Sequence, residues 1–146
     1  MRRDYFPLTT RLDGAEEAQE RAPPTLVVEY EGPSGSLTPR LERGDGHLTA
    51  DEVDVAYRYH PGDGTGVCSV TDRFTGEFVL EVNAESSTIE ELVDAARDVP
   101  GETCYRVRIE RPDEPDVVWD KQALLVYDAE GNLVRDRSLI PSGVEL

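Results

Sequence analysis

Residues 53 to 60 alternate without a fault. Val53, Val55, Tyr57 and Tyr59 stand two apart, and Asp54, Ala56, Arg58 and His60 fill the gaps. In a strand successive side chains point to opposite faces, so such a run has one face to bury and one to wet. A helix would scatter the same residues around its axis. The pattern recurs twice. Leu26, Val28 and Tyr30 share one face of a run that starts at Thr25, and Tyr105, Val107 and Ile109 alternate with Arg106, Arg108 and Glu110. Several half-buried strands must pack or roll their sheets together, because each apolar face needs a partner.

Turn chemistry divides the runs. Pro61-Gly62-Asp63-Gly64 ends the first one. Residues 67–73 and 78–83 flank Phe74-Thr75-Gly76-Glu77, where Gly76 supplies the positive φ of a hairpin turn. In the second arm Phe78, Leu80 and Val82 are expected to face the core, with Glu81 and Asn83 in water. Residues 117–128 read as one longer strand carrying Trp119. Asp128-Ala129-Glu130-Gly131-Asn132 reads as a second hairpin turn, from which 133–139 returns.

One amphipathic helix is expected at about 87–98. Ser87-x-x-Glu90 reads as a capping box, and Ile89, Leu92, Val93, Ala96 and Val99 follow helical spacing up to Pro100-Gly101. Alternating helices, which a parallel βαβ fold needs, are missing. The expected class is therefore mainly β. The expected architecture is an antiparallel β-sandwich or rolled sheet of six to seven strands, with the helix over one face or end; α+β is the alternative. Residues 1–24 read as a weakly structured segment, because Pro7 demotes 5–10 to an edge strand at best and 13–24 is rich in Ala, Glu and Pro. Residues 25–146 read as a single β-rich domain.

Charge bounds the function. Lys plus Arg is 15 and Asp plus Glu is 31, a net charge of −16 over 146 residues. Lys121 is the only lysine, so 15 − 1 = 14 of the basic residues are arginine. Molar salt shortens the Debye length to roughly 3 Å and screens the self-repulsion of such a chain. Carboxylates keep it hydrated, and the weakly hydrated guanidinium suits ion pairs. Acids spread from end to end favour salt adaptation over an acidic interaction tail. Direct nucleic-acid binding is not expected, since no basic stripe exists to neutralise phosphates. No stretch approaches 18 apolar residues, so no membrane span is expected. Met1-Arg2-Arg3-Asp4-Tyr5-Phe6 superficially resembles a twin-arginine export signal, but no apolar stretch follows it, and the cytoplasm is the expected compartment.

Candidate chemistry is thin. His47, His60, Cys68 and Cys104 are zinc-ligand types without zinc-site spacing, so no metal or other cofactor is expected, and both thiols are expected to be free. Residues 45–52 look like the second half of a calcium loop with Gly46 and Glu52 in register, yet Leu41 and Arg43 occupy two ligand positions. A glycine turn with local hydrogen bonding is the plainer reading. With only two histidines, no nucleophile has an evident base, and no catalytic residue is assigned. Arg106 and Arg108 share a strand face and are suited to grip an anion, although such residues more often pair with acids on neighbouring strands. Arg58, Arg106, Arg108, Ile140 and Leu146 are the candidate ligand or partner contacts, the last two because the 139–146 tail is apolar.

The acidic, lysine-poor composition, the start Met1 to Phe6, the segment 70–81 (VTDRFTGEFVLE) and the end, 125–133 with 138–146, together resemble a small uncharacterised haloarchaeal family, a domain of unknown function. The resemblance implies a cytoplasmic protein of a salt-accumulating archaeon and carries no activity, cofactor or catalytic residue. The expected function is a non-catalytic intracellular binding or interaction domain with a protein partner. Alternatives are a small-ligand binder or enzyme using an Arg-lined pocket, which requires Arg58, Arg106 and Arg108 to converge, and an acidic antagonist of a nucleic-acid-binding protein, which requires carboxylates in rows.

Overall fold

A computed structural model of the chain describes residues 8–13, 23–30, 38–43, 46–62, 64–97, 105–111 and 114–140. In chain order the elements are β1 (Leu8–Asp13), β2 (Thr25–Tyr30), α1 (Thr38–Leu41), β3 (Glu42–Arg43), β4 (Gly46–His47), β5 (Val53–Tyr59), β6 (Thr65–Asp72) and β7 (Phe78–Glu85). Then come α2 (Ser86–Arg97), β8 (Tyr105–Arg111), β9 (Glu114–Lys121) and β10 (Leu125–Tyr127). Single 3-10 turns occupy Ala50–Glu52 and Arg135–Arg137.

Two four-stranded sheets form, ordered β1-β2-β8-β9 and β10-β5-β6-β7, besides the small β3-β4 ribbon. Their inward faces meet in one core. Leu26, Val28, Val107, Ile109 and Trp119 come from the first sheet, and Val55, Tyr57, Cys68, Val70 and Val82 from the second. The mainly β architecture read from the alternations stands. The sheets are mixed rather than wholly antiparallel, since β2 runs parallel to β8 and β10 parallel to β5. Alternation tells which face a residue takes, but not the direction of its neighbouring strand. The edge strand expected over 5–10 lies at Leu8–Asp13, antiparallel to β2.

The helix α2 contributes Ile89, Leu92, Val93 and Ala96 to the core and packs against β1 and β7, where the two sheets approach. Its far end is tied to the 3-10 turn near residue 136, as Arg97 Nη2 donates to the carbonyls of Asp136 (2.8 Å) and Ser138 (2.9 Å). The capping box expected at Ser87 and Glu90 does not form. The helix begins at Ser86, and the Glu90 carboxylate instead accepts from Arg137. At the Ala50–Glu52 turn Glu52 Oε1 accepts from the Thr49 N–H (2.9 Å) and hydroxyl (3.1 Å), while the Glu52 N–H donates to the Thr49 carbonyl (2.9 Å). That bonding occupies the carboxylate that would close a calcium loop.

Three local expectations are corrected. Phe78 is 47% exposed, not in the core. The β6–β7 register shifts between Val70 and Thr71, so that Thr71 pairs with Phe78 while Val79 and Leu80 are both buried. A bulge of this kind re-aims the side chains beyond it. Residues 117–128 are not one strand. β9 ends at Lys121, and the chain crosses to the other sheet before β10. The crossing is pinned by Tyr105, whose hydroxyl donates to the Ala123 carbonyl (2.6 Å), and by the Leu124–Leu139 bridge. Both expected turns are present, but 133–139 does not return as a strand: a 3-10 turn occupies Arg135–Arg137 and only the isolated Tyr127–Leu133 and Leu124–Leu139 bridges form. Asp72 Oδ1 accepts from the Phe74 and Thr75 amides, Asp128 Oδ1 from those of Glu130 and Asn132, and Gly76 and Gly131 take positive φ.

Lys121 is 8% exposed. Its ammonium donates to the carbonyls of Ala50 (2.7 Å) and Val53 (2.8 Å). Beside it the Trp119 indole donates to the Leu48 carbonyl (2.7 Å). Burial, and then the nearby Arg73 charge, push the Lys121 pKa down. The one lysine of the chain thus joins β9 to the segment leading into β5. Among the described residues no helix is long and apolar enough to cross a membrane.

Candidate functional site

The two outward faces of the sandwich differ. On the β1-β2-β8-β9 sheet the residues alternating with the core include ion-paired charges, with Val27 and Val118 on either side of Arg108. Arg106 Nε lies 2.7 Å from Asp120, Arg108 Nε 3.3 Å from Glu110 and 3.9 Å from Asp116, and Arg11 bridges Glu29 (3.0 Å) and Glu110 (3.3 Å). All but Arg11–Glu110, which reaches across β2, join neighbours on one strand or on adjacent strands. Arg106 and Arg108 therefore hold carboxylates of their own chain.

On the β10-β5-β6-β7 sheet the outward face is hollowed. Ala56, Ser69 and Glu81 are in register across β5, β6 and β7, and the first two are small. Larger residues stand around them: Phe78 from the bulged end of β7, Tyr127 from β10, and Val67 and Arg58 from the next row. The result is a concavity of about 520 Å³ whose lining also includes His60 and Ala129. Ligand sites commonly hold about 300–1,000 Å³ with a few polar groups on an apolar surface.

Arg58 is positioned by the turn after β10. Its Nη2 donates to the Ala129 carbonyl (2.8 Å). A Cβ built on Gly131 would lie 3.9 Å from Cζ, Nη1 and Nη2 alike, in ordinary van der Waals contact with the guanidinium. Gly131 has φ +87, a conformation that L side chains rarely adopt. The cross-strand neighbours of Arg58 are Val67 and Tyr127, neither charged. Arg11, Arg73, Arg106, Arg108, Arg111 and Arg137 each meet a carboxylate; Arg58 meets none among the described residues.

Arg58, Arg106 and Arg108 do not converge. Arg58 alternates with core-facing Tyr57 in one sheet, and Arg106 and Arg108 alternate with core-facing Tyr105, Val107 and Ile109 in the other. They stand on opposite outward faces. Ile140 is half-buried at the end of the described chain, after Leu139 has packed into the core. Leu146 lies outside the described residues. Sequence reasoning missed Ser69, Phe78, Glu81, Tyr127 and Ala129. The signal lay in the coincidence of small residues in one row, which needs the strand register to be seen.

The remaining titratable groups serve the fold. The Tyr57 hydroxyl donates to the Ala84 carbonyl (3.0 Å) and sits 3.1 Å from Ser86 Oγ, and burial pushes its pKa up to about 12. His60 Nδ1 is hydrogen-bonded with Thr65 Oγ1 (3.2 Å). His47 is exposed on β4. Among the described residues no three His, Cys, Asp or Glu side chains gather as a metal site. Cys68 is an unbonded core thiol whose burial pushes its pKa up to about 12; Cys104 lies outside the described residues. A thiolate is the reactive form, so Cys68 is protected twice over. Thiol titration of denatured, unreduced protein is expected to give two equivalents. In native protein, Cys68→Ala should leave the titre unchanged. Zero equivalents after denaturation, or a native titre that falls with Cys68→Ala, would overturn the assignment.

None of the curated proteins or solved structures compared with this chain matches it. A family model does match, over residues 1–146, and by that match the chain belongs to a family of unknown function, DUF5793.

Proposed function

We propose that this chain is a non-catalytic binding domain, adapted to the high-salt cytoplasm of an archaeon, and that it binds through the outward face of the β10-β5-β6-β7 sheet. The observation that carries this reading is the contrast between the two faces. One carries arginines paired with carboxylates around Val27 and Val118; the other is a concavity with Phe78 at its edge and an arginine that holds no carboxylate among the described residues. The cysteine, tyrosine and lysine best placed to act as nucleophile or base among the described residues are buried, and the latter two are hydrogen-bonded to backbone carbonyls. Salt adaptation is supported by the surface charge. With Lys121 buried, that surface carries guanidinium and carboxylate but no lysine ammonium. The alternatives draw less support. An Arg-lined pocket needs three arginines together, and a nucleic-acid mimic needs unbroken rows of carboxylates, which arginines interrupt on the paired face.

The test is capture from native lysate at about 2 M KCl, where long-range attraction between charges is screened. Immobilised protein is compared with Phe78→Asp, and both proteins and small molecules in the eluate are identified. A stoichiometric occupant lost from Phe78→Asp is the expected result. An occupant that the variant retains, or no occupant at all, would overturn the assignment of the face.

A further inference from the structure

We infer that this concavity binds a small organic anion with a flat apolar body, its anionic group held by Arg58 and a hydrogen-bond donor at its other end facing Glu81. The inference rests on the binding reading above and names the occupant.

In a chain with 31 acids and 15 bases, carboxylates compete for every guanidinium. Arg58 holds none of them among the described residues, and Val67 and Tyr127 flank it on the two adjoining strands. Of its five N–H donors one is used, by the Ala129 carbonyl. That bond tethers one edge of the guanidinium beside the turn. A pre-oriented planar fork with donors to spare recognises a carboxylate or a phosphate, and little of its rotamer freedom remains to be lost on binding.

Ala56 and Ser69 lie side by side in register, between the larger Phe78 and Tyr127. That arrangement admits a flat body against apolar and aromatic surface. Arg58 lies in the row of Val67 and Asn83, and Glu81 in the row of Ala56 and Ser69. Glu81 forms no ion pair among the described residues, and the Ser69 hydroxyl has no hydrogen-bond partner there. An occupant that satisfies both ends is therefore anionic toward Arg58 and donating toward Glu81.

Three probes share one ring and differ in one group: indole-3-acetate, the neutral tryptophol and the cationic tryptamine. Each is titrated into ¹⁵N-labelled protein at one salt concentration, and amide shifts are followed around residues 56–58, 67–69 and 127–131. Indole-3-acetate is expected to shift these amides saturably and to bind roughly tenfold or more tighter than tryptophol, as hydrogen bonds to charged groups typically allow. Arg58→Gln should bring indole-3-acetate down to the affinity of tryptophol while leaving tryptophol unchanged. The variant's dispersed spectrum reports that it is folded. Glu81→Gln should weaken indole-3-acetate by a smaller factor. Equal affinity for indole-3-acetate and tryptophol, an undiminished response in Arg58→Gln, or no saturable shift with any probe would overturn the inference. Should the probes fail while the lysate experiment yields a macromolecule lost from Phe78→Asp, the binding face stands and the small anion falls.

Discussion

Gly66→Ala is expected to lower the thermal midpoint by on the order of 10 °C, among the largest effects of any single substitution here. A Cβ at position 66 would lie 2.3 Å from the Arg58 carbonyl oxygen and 2.6 Å from Cζ and the hydroxyl oxygen of Tyr57. The carbonyl belongs to the strand next to β6 and has no freedom to swing away. The tyrosine has little more. Its ring crosses β6 at Gly66 so that its hydroxyl reaches Ala84 on β7 and Ser86 at the start of α2. Tyr57 is 1% exposed. Displacing the ring would leave a buried phenol without partners, about 1–3 kcal/mol, in addition to an overpacking cost of about 1–3 kcal/mol. At roughly 2–4 °C per kcal/mol for a chain of this size, the sum gives the expected shift. Tyr57→Phe is the control, since it keeps the ring and removes the hydroxyl, and should cost about 1 kcal/mol. Scanning calorimetry of both variants decides the matter. Gly66→Ala melting within about 2 °C of the wild type would mean that the crossing yields easily.

Gly66 also shows what the sequence could convey and what it could not. Read along the chain, it follows Pro61-Gly62-Asp63-Gly64 and looks like the tail of that turn. It lies inside β6, and its reason is a tyrosine nine residues earlier that must pass over it. The alternating runs were legible because a strand exposes its period directly, and Val53, Val55 and Tyr57 are all core residues as read. The turns were legible because an Asp followed by a Gly at the positive-φ position is a local device, repeated at Asp72–Gly76 and Asp128–Gly131. Long-range facts were not. The bulge that exposes Phe78 arises from a pairing with β6, and the break after Lys121 arises from pairings with other parts of the chain. The same holds for the candidate site. Arg106 and Arg108 were readable as partners of acids, because strand neighbours are near in kind if not in sequence. Arg58 was readable as facing outward, but its concavity depends on β10 returning parallel to β5, about seventy residues later, and no period announces that.

Stability is expected to rise strongly with salt, and by more than any single substitution would change it. Sixteen excess charges on a sphere about 19 Å in radius, the size expected for this length, have a self-energy of roughly 28 kcal/mol in water without salt. Expansion to a coil relieves about half of that, on the order of 10 kcal/mol, against a typical total stability of about 5–15 kcal/mol. At about 1 M salt, with a Debye length near 3 Å, the same repulsion shrinks several-fold. Ion pairs such as Arg106–Asp120 and Arg73–Asp54 offset part of it in dilute buffer. They are exposed or half-exposed, each worth at most about 1 kcal/mol, and are themselves weakened by salt. They therefore reduce the gain from screening without reversing its sign. Nor can lysine ammonium groups shield the surface, because the one lysine is held inside by Ala50 and Val53. Circular dichroism melts at pH 7 should show the midpoint climbing from about 0.05 M to about 2 M KCl, with most of the rise below about 1 M, where the Debye length changes most in absolute terms. A neutral osmolyte run in parallel separates this from salt-strengthened burial, which alone would rise steadily across the range. If the midpoint stays flat in KCl, the acidic surface does not serve stability in salt. The carboxylates then require a recognition role, and a basic partner becomes the occupant to seek on the faces outside the Arg58 concavity.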